Sequence, residues 1–350
     1  MSIWPPIIDG NPSKGMSDPA LRYLCGPDLT SFDISQGISP LPPLYWTTEH
    51  YSFGKCYRSW LDWPEILPIP VYGDHGVCTH AKLFPHEVNN RSQHHLTWTR
   101  ERFEQAKKSS DKLLLRIQHP WIIYRHQAGI KLNDRAKGTL VFISHSTPDI
   151  DIVGSDYAKY FEDLQSLEDS YHPLVYCLHM HEINKGLHHK LLDRGLTVVT
   201  AGKVDSPFFV DRFYDIISKF EFATSNFGGS ELFYCHELGL KYFIRGAPPT
   251  YINKADVNLT IGQLFLGLDD LQIRKLALFS IFPPEKSAEK DKFVASVLGL
   301  DESTAAGREN LTKIFRKAVW RHPLFVVYRV AIATLYKFFG VSRIFRLLRR

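Results

Sequence analysis

Between residues 139 and 244 five short apolar segments alternate with four stretches of helical period, and this alternation restricts the fold more than any other feature of the chain. The apolar segments are 139–144 (TLVFIS), 174–179 (LVYCLH), 197–201 (TVVTA), 221–225 (EFATS) and 241–244 (KYFI), and the helical stretches are 156–167, 187–194, 209–220 and 231–238. Strands that alternate with helices of this length can only be paired in parallel, so the spacing predicts a doubly wound α/β sheet of five strands. Its last unit, residues 221–246, reads as strand, glycine-bearing turn (226–230), helix stopped by Gly239, and strand. In that turn Gly228 and Gly229 let the backbone approach a ligand closely. Ser230 stands where a helix N-cap leaves free N–H groups facing an anion such as a phosphate, and Glu231 opens the helix. A purely local strand-to-helix turn uses the same residue types.

In sheets of this kind ligands lie beyond the carboxyl ends of the strands. The loops there are unusually polar: Ser144, His145, Ser146 and Thr147; His179, His181 and Glu182; Gly202 and Lys203; and residues 227–230. If the second strand runs on to residue 181, His179 and His181 share one face of it, an arrangement that suits a phosphate better than a metal. The spacing is not HExxH, and the five cysteines, 25, 56, 78, 177 and 235, are scattered without a CxxC pair. Neither a zinc site nor a disulfide framework is indicated, and the chain reads as one for a reducing, cytosolic setting.

At 350 residues the chain is long for one core, and three regions are expected: 1–130, 131–265 and 266–350. The first fifty residues are rich in Pro, Gly and Ser and read as a wrapped extension, with no basic-then-apolar order of a signal peptide. After it come a helix near 51–60, strands at 69–74, 94–99 and 113–117, and a helix at 100–110, which make a small α/β domain. The first of these strands delivers Asp74 and His75 into a loop tightened by Gly73 and Gly76. A general base or nucleophile can be presented that way, and so can an Asx-type turn.

A helix at 261–266 and a charged helical stretch lead to the tail. Residues 313–350 hold ten Lys and Arg and no Asp or Glu; since the whole chain carries +5, the 312 residues before the tail carry −5. A mildly acidic body argues against a nucleic-acid-binding core. The tail interleaves its basic residues with Phe, Tyr, Val, Leu and Ile, as in helices that lie on anionic membrane surfaces. No charge-free apolar run reaches the length of a membrane span.

Residues 139–246, closing with Gly228, Gly229 and Ser230 and then a helix and Leu238-Gly239-Leu240-Lys241, resemble the donor-binding half of GT-B glycosyltransferases. More narrowly, the chain is similar to bacterial surface-polysaccharide transferases that use CMP-activated acidic sugars, of the sialyl-, polysialyl- and Kdo-transferase types. Those families carry an acidic D/E-D/E-G motif, a His-Pro motif and a Ser/Thr motif. Asp74-His75-Gly76 matches the first in part, with His in place of the second acid, and Ser230 with Ser225 stands for the third. His179 and His181 lack the Pro of the second, while His119-Pro120 and His172-Pro173 fall elsewhere.

The resemblance implies two Rossmann-like domains and a metal-independent transferase without a cofactor. A nucleotide-sugar donor, a CMP-sugar by preference, would be gripped by Ser144, His145, Ser146, His179, His181, Lys203, Gly228, Gly229, Ser230 and Glu231. Asp74, partnered by His75, would be base or nucleophile toward a lipid-linked, lipopolysaccharide or capsule glycan at the inner face of a membrane. A sugar-nucleotide epimerase or hydrolase on the same fold, or a non-catalytic glycan-binding protein, are the rival readings.

Overall fold

The computed structural model describes residues 41–78, 80, 83–147, 150–153, 157–254 and 270–339. The expected N-terminal extension up to residue 40, the helix expected at 261–266 and the tail beyond 339 lie outside these. The described chain divides into two units. A small-sheet unit holds the described residues from 41 to 129 together with Val204–Phe208 and those from 295 to 339. A large-sheet unit holds Ile130–Lys203 and Phe209–Val294. The region expected from residue 266 onward is therefore shared between the two.

In the small-sheet unit α1 (Phe53–Leu61) precedes β1 (Tyr72–Gly73), a short α2 (Pro85–Val88), β2 (His94–Thr97), α3 (Arg100–Ser109), β3 (Leu113–Arg116) and α4 (Pro120–Gln127). The strands are parallel in the order β1-β2-β3, with Gly73 opposite Leu96 and Leu96 opposite Leu115. The first strand is shorter than the expected 69–74, because Pro68 and Pro70 have no N–H to give a ladder. The core is aromatic: Phe53 stacks on Trp98 at 5.6 Å between centroids, and Tyr57, Trp60 and Trp121 are buried around them. Helix α4 was not anticipated. His119-Pro120 opens it, the His119 ring accepting the Trp121 N–H at 3.1 Å and proline filling the first helical position.

The large-sheet unit carries β4 (Thr139–Phe142), β5 (Ile150–Val153), α5 (Tyr157–Gln165), β6 (Leu174–Cys177), α6 (Met180–Asn184), α7 (Leu187–Leu192), β7 (Thr197–Val199), α8 (Phe209–Ile217), β8 (Phe222–Ser225), α9 (Ser230–Leu238), β9 (Lys241–Ile244), β10 (Thr250–Asn253) and α10 (Asp270–Phe279). The five expected strands form one parallel sheet in the order β7-β6-β4-β8-β9. Counted along the chain this is 3-2-1-4-5, the order of a Rossmann-like fold. Alternate residues of each strand face opposite layers. Val141, Leu174 and Tyr176 pack with Phe161, Leu164, Ile183 and Leu191 from α5, α6 and α7. On the other face Phe142 stacks on Phe213 of α8, which meets Tyr234 of α9. A two-stranded antiparallel ribbon, β5 with β10, pairs Val153 with Thr250 and Ile150 with Asn253.

The boundary between the units falls within α11 (Ala288–Leu298), and α12 (Thr304–Val319) and α13 (Pro323–Phe339) complete the described chain. Among the described residues no helix is long and apolar enough to cross a membrane.

Candidate functional site

The sheet order reverses between β4 and β8, and in sheets of this kind the loops after two such strands part and leave a crevice at their carboxyl ends. Four of the expected residues meet at it. The Ser144 hydroxyl, after β4, donates to Asn226 Oδ1, after β8, at 2.8 Å, and Asn226 Nδ2 donates to the Ala247 carbonyl at 3.0 Å. The His145 ring stacks on His179 at 4.1 Å between centroids, and His179 lies 4.6 Å from His181. The sequence missed Asn226, although it immediately follows a strand and precedes the glycine turn.

The two histidines after β6 are not on a strand face as expected. The strand stops at Cys177, and His179 caps α6, its Nδ1 accepting the His181 N–H at 3.2 Å. A cap followed by a helical turn still brings both rings to one place. Burial pushes His179 down to about 2, helped by the neighbouring rings of His145 and His181, and burial also lowers His181. Burial thus keeps His179 and His181 neutral at pH 7, ready to take up protons if an anion arrives.

Beside it Ser146 is buried. Its N–H donates to Glu182 Oε1 at 2.8 Å, its hydroxyl donates to the same oxygen, and it accepts from Lys185 Nζ at 2.5 Å. Ser146 therefore links a carboxylate to a cation and is spoken for. Lys203 is half-buried beyond β7, two strands from β4.

The glycine turn differs from expectation in one respect that matters chemically. Gly229 occupies the N-cap position and Ser230 is the first helical residue, one place too late for its hydroxyl to cap α9. Glu231 turns back to the helix start, accepting from the Gly229 N–H at 2.8 Å and from the Tyr242 hydroxyl at 3.1 Å. A carboxylate so placed takes up one N–H of the helix start and puts a negative charge beside it. Gly228, with φ +72°, is required: a Cβ there would lie 2.7 Å from Leu232 Cδ1. Ser225 shapes the turn by accepting from the Gly228 N–H at 2.7 Å, and its hydroxyl lies 2.8 Å from that of Tyr242. Lys275 of α10, unnoticed in the sequence, is buried, donates to the Gly228 carbonyl at 2.6 Å and stands 4.2 Å over the Phe227 ring.

In the small-sheet unit the loop after β1 separates Asp74 from His75. Asp74 has no exposed surface, and both of its oxygens are engaged: Oδ1 with His95 Nε2 at 2.7 Å, Oδ2 with the Thr97 hydroxyl at 2.7 Å, and both with Arg102 Nε at 3.1 Å. Arg102 also donates to Glu87 Oε2 at 2.5 Å and to the His80 carbonyl. Its guanidinium and the His95 and Thr97 bonds hold the Asp74 carboxyl well below the usual range, against the opposing effect of burial. As placed, Asp74 ties β1 to β2 and α3 and has no path to an acceptor hydroxyl.

Asp74, Glu87 and His95 offer ligand atoms within 4.8 Å of one another, as in a metal site. Arg102 already supplies the positive charge between the two carboxylates, so a metal ion does not fit there. His75 is half-exposed, its ring set against Trp46 at 4.6 Å, and burial lowers it to about 4 despite the Asp74 charge. Of the expected pair, only His75 reaches the surface in a form that can accept a proton.

Comparison of the chain with models of protein families, with curated proteins and with solved structures found no match.

Proposed function

We propose that the chain is a glycosyltransferase of GT-B type that moves a sugar from a nucleotide-sugar, a CMP-sugar by preference, onto a membrane-associated glycan of the lipid-linked, lipopolysaccharide or capsule kind. One observation carries the reading: His145, His179, Ser144 and Asn226 converge where the order of a five-stranded parallel sheet reverses. That crevice is where sheets of this order take nucleotides.

In this reading the donor's phosphate lies against the histidine cluster rather than on the α9 N-terminus, where the Glu231 carboxylate already accepts the Gly229 N–H. The imidazoles gain protons as the anion settles and then stabilise the charge on the departing nucleotide. His75 takes over the role of base expected for Asp74, accepting the acceptor's hydroxyl proton in its neutral form. Asp74 acts behind it through the fold.

The exposed face of α13 supports a membrane site of action. Leu324, Val327, Tyr328 and Leu335 recur at helical spacing and are exposed, and exposed Trp320 is flanked by exposed Lys317 and Arg321. Apolar side chains toward solvent with basic neighbours and an interfacial Trp suit an anionic bilayer surface.

A thermal-shift series with CMP, UDP, GDP and dTDP tests the proposal. One nucleotide family is expected to stabilise the protein by ~2.7 kcal/mol at 100 times its dissociation constant. A protein that responds to none of the four is not a transferase of this kind.

A further inference from the structure

The small-sheet unit contains a cleft that none of the readings above uses. It has a volume of about 620 Å³, within the range of small-molecule sites. Its lining mixes apolar side chains, Pro42, Pro43, Trp63 and Phe208, with polar ones, Glu49, His50, Lys55, Arg58 and Asp205. The charges of the polar lining residues largely offset one another. Glu49 and Arg58 form a bidentate pair at 2.7 and 2.8 Å, and Lys55 stands 5.2 Å from the Tyr124 ring centroid and 5.3 Å from that of Phe208. Asp205 and Glu65 add two carboxylates, so a phosphate finds no net positive field here.

We infer that this cleft binds the neutral, hydroxyl-rich glycan portion of the acceptor, the sugar's C–H face against the proline and aromatic side chains and its hydroxyls on the polar ones. The inference rests on the transferase reading for the word acceptor, and on the cleft alone for the glycan. Sugars present an apolar ring face and a rim of hydroxyls, and a lining that joins apolar side chains to polar groups of offsetting charge offers both donors and acceptors without selecting for charge. His50 contributes an imidazole kept neutral mainly by burial, although Asp205 and Glu49 favour its charged form.

The lips of the cleft are fixed from behind. Arg329 of α13 is buried and donates to the carbonyls of Pro42 at 2.5 Å, Glu65 at 2.6 Å and Ile66 at 3.0 Å, and Pro42 and Glu65 both line the cleft. Burial lowers Arg329 to about 10, which leaves it charged at neutral pH. A site whose walls are held before the ligand arrives loses less free energy in ordering them. The same helix that presents Leu324, Val327 and Tyr328 outward thus holds both lips, and a glycan carried by a membrane lipid would meet the cleft and the helix together.

Saturation-transfer NMR on the full chain with maltose, cellobiose, lactose and chitobiose, at millimolar concentration, tests the assignment. The wild type is expected to transfer saturation to at least one of them. Ser59→Trp, which fills the mouth from an exposed position on α1, should weaken that sugar at least tenfold with an unchanged melting temperature. Arg329→Met should weaken it as well; because this variant also removes three buried hydrogen bonds, Ser59→Trp decides. No transfer to any of the four sugars, or binding unaltered by Ser59→Trp, overturns the inference. CMP, UDP, GDP and dTDP are titrated into the same samples: sugar binding without nucleotide binding refutes the transferase reading and leaves the glycan cleft standing, and the reverse result does the opposite.

Discussion

Replacing Asp74 by Asn leaves the shape of the side chain intact and removes a charge that the small-sheet unit is built around. The carboxylate is fully buried and accepts from His95, Thr97 and Arg102, while Arg102 has Glu87 as its second carboxylate. Breaking a buried ion pair by removing one partner costs about 3–5 kcal/mol, because the other charge stays buried. Glu87 and the His80 carbonyl remain on Arg102, so the lower end, ~3 kcal/mol, is expected. With a urea slope of about 2 kcal/mol/M this is a fall of ~1.5 M in the midpoint.

Tryptophan fluorescence follows this unit selectively. Six of the seven tryptophans, at 46, 60, 63, 98, 121 and 320, lie in it, and the seventh, Trp4, lies outside the described residues. The pH dependence has a definite sign. The folded carboxyl is held below its unfolded value of about 3.9, so its contribution is present above pH 4 and is lost as pH falls further toward the folded value. The gap between wild type and Asp74→Asn should therefore close in acid. A midpoint shift below ~0.3 M at pH 7, or a gap that widens as the pH falls below 4, would refute the account of Asp74 as a buried tie.

Three further outcomes are expected. Because His179 and His181 are held neutral by burial, nucleotide binding should take up protons and tighten from pH 8 to pH 6; calorimetry in buffers of different ionisation heat measures the uptake, and a value of zero would rule out the histidine cluster as the phosphate site. Gly228→Ala, at φ +72° and facing Leu232, should cost ~1–2 kcal/mol or more and impair nucleotide binding; a variant as stable as the wild type would mean that the turn is not fixed as described. Val327→Glu, on the exposed face of α13, should abolish co-sedimentation with phosphatidylglycerol vesicles while leaving the fold unchanged, and the wild type's binding should fall with added salt; sedimentation equal to that of the wild type would move the membrane contact elsewhere.

The large sheet was legible because its strands repeat one pattern, an apolar run followed by a helix, and each run carries its own signal. Segments with four residues and no repeat were not: β5 and β10 become strands only by pairing with each other across a hundred residues. The same limit applies to His179 and His181. Their sequence spacing fits a strand face, but His179 can also cap a helix, and the helix is what forms. For Asp74 the misleading feature was the glycine loop. Nothing local reveals that Arg102, three elements further on in α3, is aimed back at the carboxylate, and burial of a charge is decided by such a distant partner. Lys275 and Arg329 escaped notice for a related reason, since buried cations on helices look like solvent-facing ones until the carbonyls they serve are in place.

The central claim is that the crevice between β4 and β8 binds the nucleotide, and isothermal titration of wild type and His145→Ala with whichever of CMP, UDP, GDP and dTDP gives the largest thermal shift tests it most directly. His145 is half-exposed and stacked on His179, so its loss should leave the melting temperature within a few degrees. The account predicts affinity at least tenfold weaker in the variant, equivalent to ~1.4 kcal/mol, together with smaller proton uptake. Equal affinity and equal proton uptake in the two proteins would contradict it.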